Sequence, residues 1–166
     1  MDKYDVAVVG LGYVGLTLSV ALADLGFNIM GIEKRQDIVD KTNAGEPHFS
    51  EVGLQGLLRH VIAKNKLVAF SSFSKNFKAD VYIITVGTPL KDGRFNNAFI
   101  RAATQEVANS MHNNSLIILR STVAIGTARN VVMPILSKSG KRYQVAMCPE
   151  RTLEGKAMLE LRSLPQ

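Results

Sequence analysis

Three glycines and one acid carry the most specific chemistry in this 166-residue chain. Gly10, Gly12 and Gly15 stand at G-x-G-x-x-G spacing, and Glu33 follows Gly15 by eighteen residues. The pattern suits a diphosphate and a ribose. The first glycine permits a tight turn, the second lets backbone approach a pyrophosphate, and the third lets a helix pack against a strand. A helix opening at this point offers unpaired N–H groups and partial positive charge to the phosphates. A carboxylate at Glu33 can take both hydroxyls of an adenosine ribose and would repel a 2′-phosphate, which favours NAD over NADP. Lys34 and Arg35 follow it directly. Such cations can accommodate a 2′-phosphate, or they form the solvated flank of a loop, the reading preferred here.

These residues need a strand before Gly10, a helix after it and a second strand ending at Glu33. Four of the five residues preceding Gly10 are apolar, an apolar-periodic helix is expected over 14–25, and a strand over 28–32. Further along, the pattern predicts helices over 35–43 and 51–65 and a strand over 67–70. A strand over 81–86, a polar loop over 91–97 and a helix over 98–111 follow. The last elements are a strand over 116–119, a helix over 126–138 and a strand over 144–147. Strands alternating with helices imply a single α/β domain, a Rossmann-like doubly wound parallel sheet. Right-handed crossovers bring the carboxyl ends of the strands to one edge, where ligands bind near the switch in strand order. Three such ends carry chemistry: Gly87-Thr-Pro89, Arg120-Ser-Thr-Val123 and Cys148-Pro-Glu150. Each sets hydroxyl, carboxyl or backbone groups where a nicotinamide would lie. Thr88 and Thr122 either face that ligand or satisfy backbone in their turns.

Composition narrows the class. The run 6–23 has no charge and could pass for a secretory or membrane segment, but Asp2, Lys3 and Asp5 before it are the wrong balance for a signal peptide. Buried parallel strands explain the run without a membrane. The one cysteine, Cys148, excludes an internal disulfide and fits a reducing cytoplasm. The net charge of +6 suits anionic small molecules. Its basic residues are scattered and accompany no nucleic-acid motif. His48, His60 and His112 form no metal-ligand pattern.

Five collinear segments resemble the N-terminal, NAD-binding half of the UDP-glucose/GDP-mannose 6-dehydrogenase family. They are Val9-Gly-Leu-Gly-Tyr-Val-Gly-Leu16, Glu51-Val-Gly-Leu54, Ala79-Asp-Val-Tyr-Ile-Ile-Thr-Val-Gly-Thr-Pro-Leu90, Arg120-Ser-Thr-Val-Ala-Ile-Gly-Thr127 and Cys148-Pro-Glu-Arg-Thr-Leu-Glu-Gly-Lys-Ala157. The last is most similar to members acting on UDP-N-acetylhexosamines, UDP-N-acetyl-D-mannosamine above all. UDP-glucose enzymes more often carry an aromatic residue at the place of Arg151. The resemblance implies oxidation of a sugar C6 alcohol to the carboxylate in two NAD-dependent steps, through a thiohemiacetal and a thioester on an enzyme cysteine. It implies that Tyr13 and Val14 present N–H groups to the pyrophosphate and that Thr88 contacts the cofactor. Thr122 and Glu150 would hold or activate water, with desolvation able to lift the Glu150 pKa toward neutrality. Glu154 would lie near the nicotinamide and the reacting carbon, sharing a face with Glu150 if that stretch is helical. For Glu51 only structural capping is expected. A UDP-sugar substrate and a homodimeric full-length protein also follow from the resemblance.

The chain departs from the family at Arg120, where many relatives carry a glutamate, and in two further respects. No glycine-rich segment with a nucleophilic cysteine and acidic partner occurs, and Cys148 reads instead as a small buried hydrophobe. The sequence ends at Leu164-Pro-Gln166, where relatives continue into a central helix and a UDP-sugar-binding domain. Residues 1–166 are therefore expected to be the NAD-binding domain alone, inactive by itself. Two rivals stand beside this reading. One is a 6-phosphogluconate or 3-hydroxyisobutyrate type of dehydrogenase, which shares the glycine pattern but not the two later motifs. The other is a non-catalytic NAD-sensing module, which leaves Thr122, Glu150 and Glu154 unexplained.

Overall fold

The computed structural model describes residues 2–91 and 93–163. Its spine is β1 (Asp2–Val9), in which Val6 and Val8 face one side of the sheet, Ala7 and Val9 the other, and all four are buried. Burial on both faces is what a central parallel strand requires. On one side β1 pairs in parallel with β2 (Ile29–Ile32), which pairs with β3 (Leu67–Phe70). On the other it pairs with β4 (Phe77–Ile84). The short antiparallel pair β5 (Leu90–Lys91) and β6 (Arg94–Phe95) stands outside the sheet. Beyond β4 lie β7 (Ser115–Leu119) and β8 (Tyr143–Met147), giving the order β3-β2-β1-β4-β7-β8. The order turns back between β1 and β4, so a crevice opens at their carboxyl ends.

Helices cover both faces. Residues of α1 (Tyr13–Asp24), α2 (Gln36–Asn43) and α3 (Leu54–Ala63) form one core with Val6, Val8 and Ile29, against which Met158 and Leu161 of α6 (Ala157–Ser163) pack. The opposite core joins Ile100, Ala103 and Val107 of α4 (Ala98–Ser110) and Leu136 of α5 (Met133–Ser137) to Ala7, Val9, Ile84 and Leu119. The uncharged run 6–23 is thus β1, a glycine turn and α1. Among the described residues no helix is long and apolar enough to cross a membrane.

The structure differs from the expected pattern where charges or proline intervene. β4 begins at Phe77 rather than 81, because Lys78 and Asp80 at the sheet's amino edge break the apolar run. Asp80 there meets Lys3 at 3.2 Å and His112 at 3.2 Å. The helix expected over 126–138 is a π-helical turn, Ala128–Val132, followed by α5. Pro134 has no N–H to return to residue 130, and its ring crowds that carbonyl, so the turn before it widens. β5 and β6 occupy part of the expected polar stretch, and α6 is an element that the sequence pattern does not predict. Residues 164–166, beyond which relatives are expected to continue, and Asp92 in the polar stretch lie outside the described residues.

Candidate dinucleotide-binding site

The three glycines of the turn are required for three different reasons. Gly10 ends β1 at φ +98°, where a Cβ would lie 3.2 Å from the Thr85 carbonyl. At Gly15 a Cβ would lie 1.8 Å from the Gly10 oxygen, so the helix closes directly onto the turn. Gly12 is the N-cap of α1 at φ −65°, and a Cβ there would meet nothing within 4 Å. Its space is open, and open on the side of the helix start.

Two residues packed against this turn carry roles that the glycine pattern does not reveal. The Thr85 hydroxyl reaches the Gly10 oxygen at 2.7 Å and the Val9 oxygen at 3.0 Å, tying the end of β4 to the turn. Gly31 leaves room for Leu11, since a Cβ at 31 would lie 2.7 Å from Leu11 Cδ1. The only signal in the sequence was a glycine inside an apolar strand, which marks a close approach.

Glu33 stands at the end of β2, partly exposed. Its Oε2 accepts the Leu11 amide at 3.0 Å and its Oε1 accepts the Arg35 amide at 3.0 Å. One bond per oxygen leaves each carboxylate oxygen a further acceptor position, the number a ribose diol needs. The two cations beside it are engaged by other acids. Lys34 Nζ lies 2.5 Å from Glu106, and Arg35 holds Asp37 through Nε at 3.1 Å and Nη2 at 2.6 Å. Between these elements a crevice of about 360 Å³ runs from Gly10 and Gly12 past Glu33 to Val86, Phe99 and Ala103. The first turn of α1 carries no side-chain cap and no acid. Its leading amides, those of Tyr13 and Val14 among them, have no partner within the helix. Open space at Gly12, uncapped amides and a carboxylate with acceptors to spare fit a dinucleotide.

On the other side of the switch point, the Thr88 hydroxyl donates to the Thr122 carbonyl at 2.7 Å, joining the ends of β4 and β7. Thr122 itself is exposed. Glu150 is deeply engaged: Oε2 takes Arg120 Nε at 2.9 Å and also Nη2, while Oε1 takes the amides of Arg151 at 2.7 Å and Thr152 at 2.8 Å. The side chains of Arg120 and Glu150 are only 7% and 9% exposed. Burial pushes the Glu150 carboxyl up, but the two amides and the guanidinium outweigh it and hold it below its ordinary range. The lift toward neutrality allowed from sequence is thus reversed. Residues 148–153 are irregular, so Glu150 and Glu154 share no helical face, and Glu154 is exposed in the turn that follows. Cys148 is half-buried at the end of β8.

A parallel six-stranded sheet with a glycine turn, an uncapped helix start and a ribose-type acid at its switch point defines a Rossmann-type NAD-binding domain. Residues 4–166 match the model of the UDP-glucose/GDP-mannose dehydrogenase family, NAD binding domain, and the chain belongs to that family. It is 30% identical over 160 residues to UDP-N-acetyl-D-mannosamine dehydrogenase of Pyrococcus horikoshii, which covers 94% of this chain and 38% of that protein. It is 32% identical over 170 residues to GDP-mannose 6-dehydrogenase of Pseudomonas putida, covering 96% of this chain and 39% of that protein. Among solved structures, a ternary complex of GDP-mannose dehydrogenase from Pseudomonas aeruginosa superposes with TM-score 0.88 at 28% identity, over 94% of this chain and 38% of that one. The chain thus spans about two fifths of the length of each of these relatives.

Proposed function

We propose that this chain supplies the cofactor site of a nucleotide-sugar 6-dehydrogenase that oxidises the C6 alcohol of a UDP-N-acetylhexosamine, UDP-N-acetyl-D-mannosamine foremost, to the carboxylate in two NAD-dependent steps. The observation that carries the reading is the meeting, on one sheet edge, of the Glu33-clamped glycine turn and the Cys148-Pro-Glu-Arg-Thr-Leu-Glu-Gly loop. The Arg151 form of that loop and the likeness to the Pyrococcus enzyme favour the N-acetylmannosamine substrate.

In this reading Glu33 accepts the adenosine ribose hydroxyls, and the Tyr13 and Val14 amides face the pyrophosphate. Thr88 braces the strand ends beneath the nicotinamide. When bound, NAD supplies a hydride acceptor. Thr122 and Glu154, both exposed at the edge, are the groups free to meet water or the sugar C6. Glu150 has four hydrogen bonds for about four acceptor positions, so it shapes the loop and orients neighbours while remaining ionised. The UDP-sugar and the thiol nucleophile are held by the rest of a longer, homodimeric, cytoplasmic protein. NADH release from the whole protein offered UDP-N-acetyl-D-mannosamine, UDP-glucose and GDP-mannose tests the reading. The highest kcat/KM is expected for the first. A higher value for either of the others overturns the substrate, and no calorimetric binding of NAD to this chain overturns the site.

A further inference from the structure

Glu51 is 9% exposed, although it lies in the loop before α3 and belongs to neither the glycine turn nor the motif loop after β8. Its Oε2 accepts the Tyr13 hydroxyl at 2.5 Å and the Gly155 amide at 2.7 Å. Gly155 N also lies 3.1 Å from the Tyr13 hydroxyl. Three segments far apart in sequence thus close on one carboxylate oxygen. Phe49 packs on the Tyr13 ring at a centroid distance of 4.9 Å and holds the phenol in place. Burial, then the bond to Glu51, pushes the Tyr13 pKa up to about 12, so the phenol keeps its proton at neutral pH.

The place of this junction gives it a consequence. Tyr13 is the first residue of α1, whose uncapped opening would face the diphosphate of a bound dinucleotide. The segment 148–156 leaves β8 on the far side of the sheet and returns to α1, so it crosses the half of the carboxyl edge opposite the adenosine acid Glu33. It is pinned at both ends, by Arg120 to Glu150 at one and by Glu51 to Gly155 at the other. Between the pins it presents Thr152, Leu153 and Glu154.

We propose that Glu51 is a positioning residue: through Gly155 and Tyr13 it holds the 148–156 loop over the nicotinamide half of the cofactor site. This rests on the dinucleotide reading of the crevice. Adenosine contacts lie elsewhere, so the latch matters to NADH and not to ADP-ribose, which lacks the nicotinamide ring. Tyr13→Phe removes the hydroxyl and keeps the ring, while Glu51→Gln retains a carbonyl acceptor.

The test is calorimetric titration of Glu51→Ala, Glu51→Gln and Tyr13→Phe with NADH and with ADP-ribose, alongside hydrogen exchange of the Gly155 amide. Losing a hydrogen bond to a charged group predicts about tenfold faster Gly155 exchange in Glu51→Ala. NADH affinity should fall severalfold with ADP-ribose affinity unchanged, Glu51→Gln should recover most of both effects, and Tyr13→Phe should fall between. An unchanged NADH-to-ADP-ribose ratio in Glu51→Ala overturns the latch, and should that variant fail to fold, an unchanged ratio in Tyr13→Phe overturns it instead. Equal loss for both ligands makes Glu51 a structural brace only and overturns it as well. If the unaltered protein binds neither ligand, the dinucleotide reading itself fails.

Discussion

The amide of Leu11 donates to Glu33 Oε2 at 3.0 Å, so the loop after β1 and the acid ending β2 are one unit. Gly31 makes this possible, because its missing side chain lets Leu11 sit against β2 with its backbone turned toward the carboxylate. The acid is thereby aimed before any ligand arrives, and binding need not order it.

Glu33→Ala should therefore weaken NAD by about tenfold to a hundredfold, the loss of one or two hydrogen bonds to a charged group. NADP should lose much less, since the substitution also removes a charge that repels its 2′-phosphate. Lys34 and Arg35 stay beside the vacated position, each held by its own acid, Glu106 and Asp37. Calorimetric titration with both cofactors checks this. Equal losses would remove the ribose role.

Gly12 and Gly15 should separate binding from folding. Gly12→Ala places its methyl in open space at an ordinary φ, so the loss of stability should stay within about 1 kcal/mol, that of a weaker N-cap. The methyl would occupy the approach to the helix start, and NAD affinity should fall at least about tenfold. Gly15→Ala drives its methyl to 1.8 Å from the Gly10 oxygen, where backbone must shift. A destabilisation of about 3 kcal/mol or more is expected. Thermal melts beside NAD titrations check the pair. A stable, NAD-binding Gly15→Ala would show that the helix does not close on the turn as described.

Much of this was legible because its causes are local. Glycine spacing, apolar strands and an acid at a strand end are written in adjacent residues, so β1, α1, β2 and Glu33 could be placed from sequence. The Lys34 and Arg35 flank is exposed, as a solvated loop requires, but nothing adjacent in sequence singles out Glu106 and Asp37 as its acidic partners. What stayed hidden depends on pairings between distant segments. Thr85 matters only because β4 lies beside β1, and Glu51 only because residue 155 returns to residue 13. For Glu150 the sequence suggests a water-holding carboxylate lifted by desolvation. Its state is set by the Thr152 and Arg151 amides beside it and by Arg120, thirty residues earlier, to which no spacing rule links it.

That pairing makes a prediction about acid stability. The folded Glu150 carboxyl sits below its ordinary value of 4.5 because the Thr152 and Arg151 amides and Arg120 outweigh the cost of burial. A depressed folded pKa means that the unfolded chain binds the proton more readily. The stabilisation is therefore complete above 4.5 and is lost as pH falls through the lower, folded value. Arg120→Met removes the cation from a carboxylate only 9% exposed and should cost about 3–5 kcal/mol at neutral pH, the penalty for a buried charge left alone. Its stability should also fall less steeply on the acid side, since part of what protonation destroys is already gone. Adding Glu150→Gln should restore much of the neutral-pH loss, because no buried charge then lacks its partner. Urea melts from neutral pH down to about pH 3, across the carboxylate range, check this. If Arg120→Met and the unaltered protein show the same stability and the same acid slope, the pair does not hold the loop.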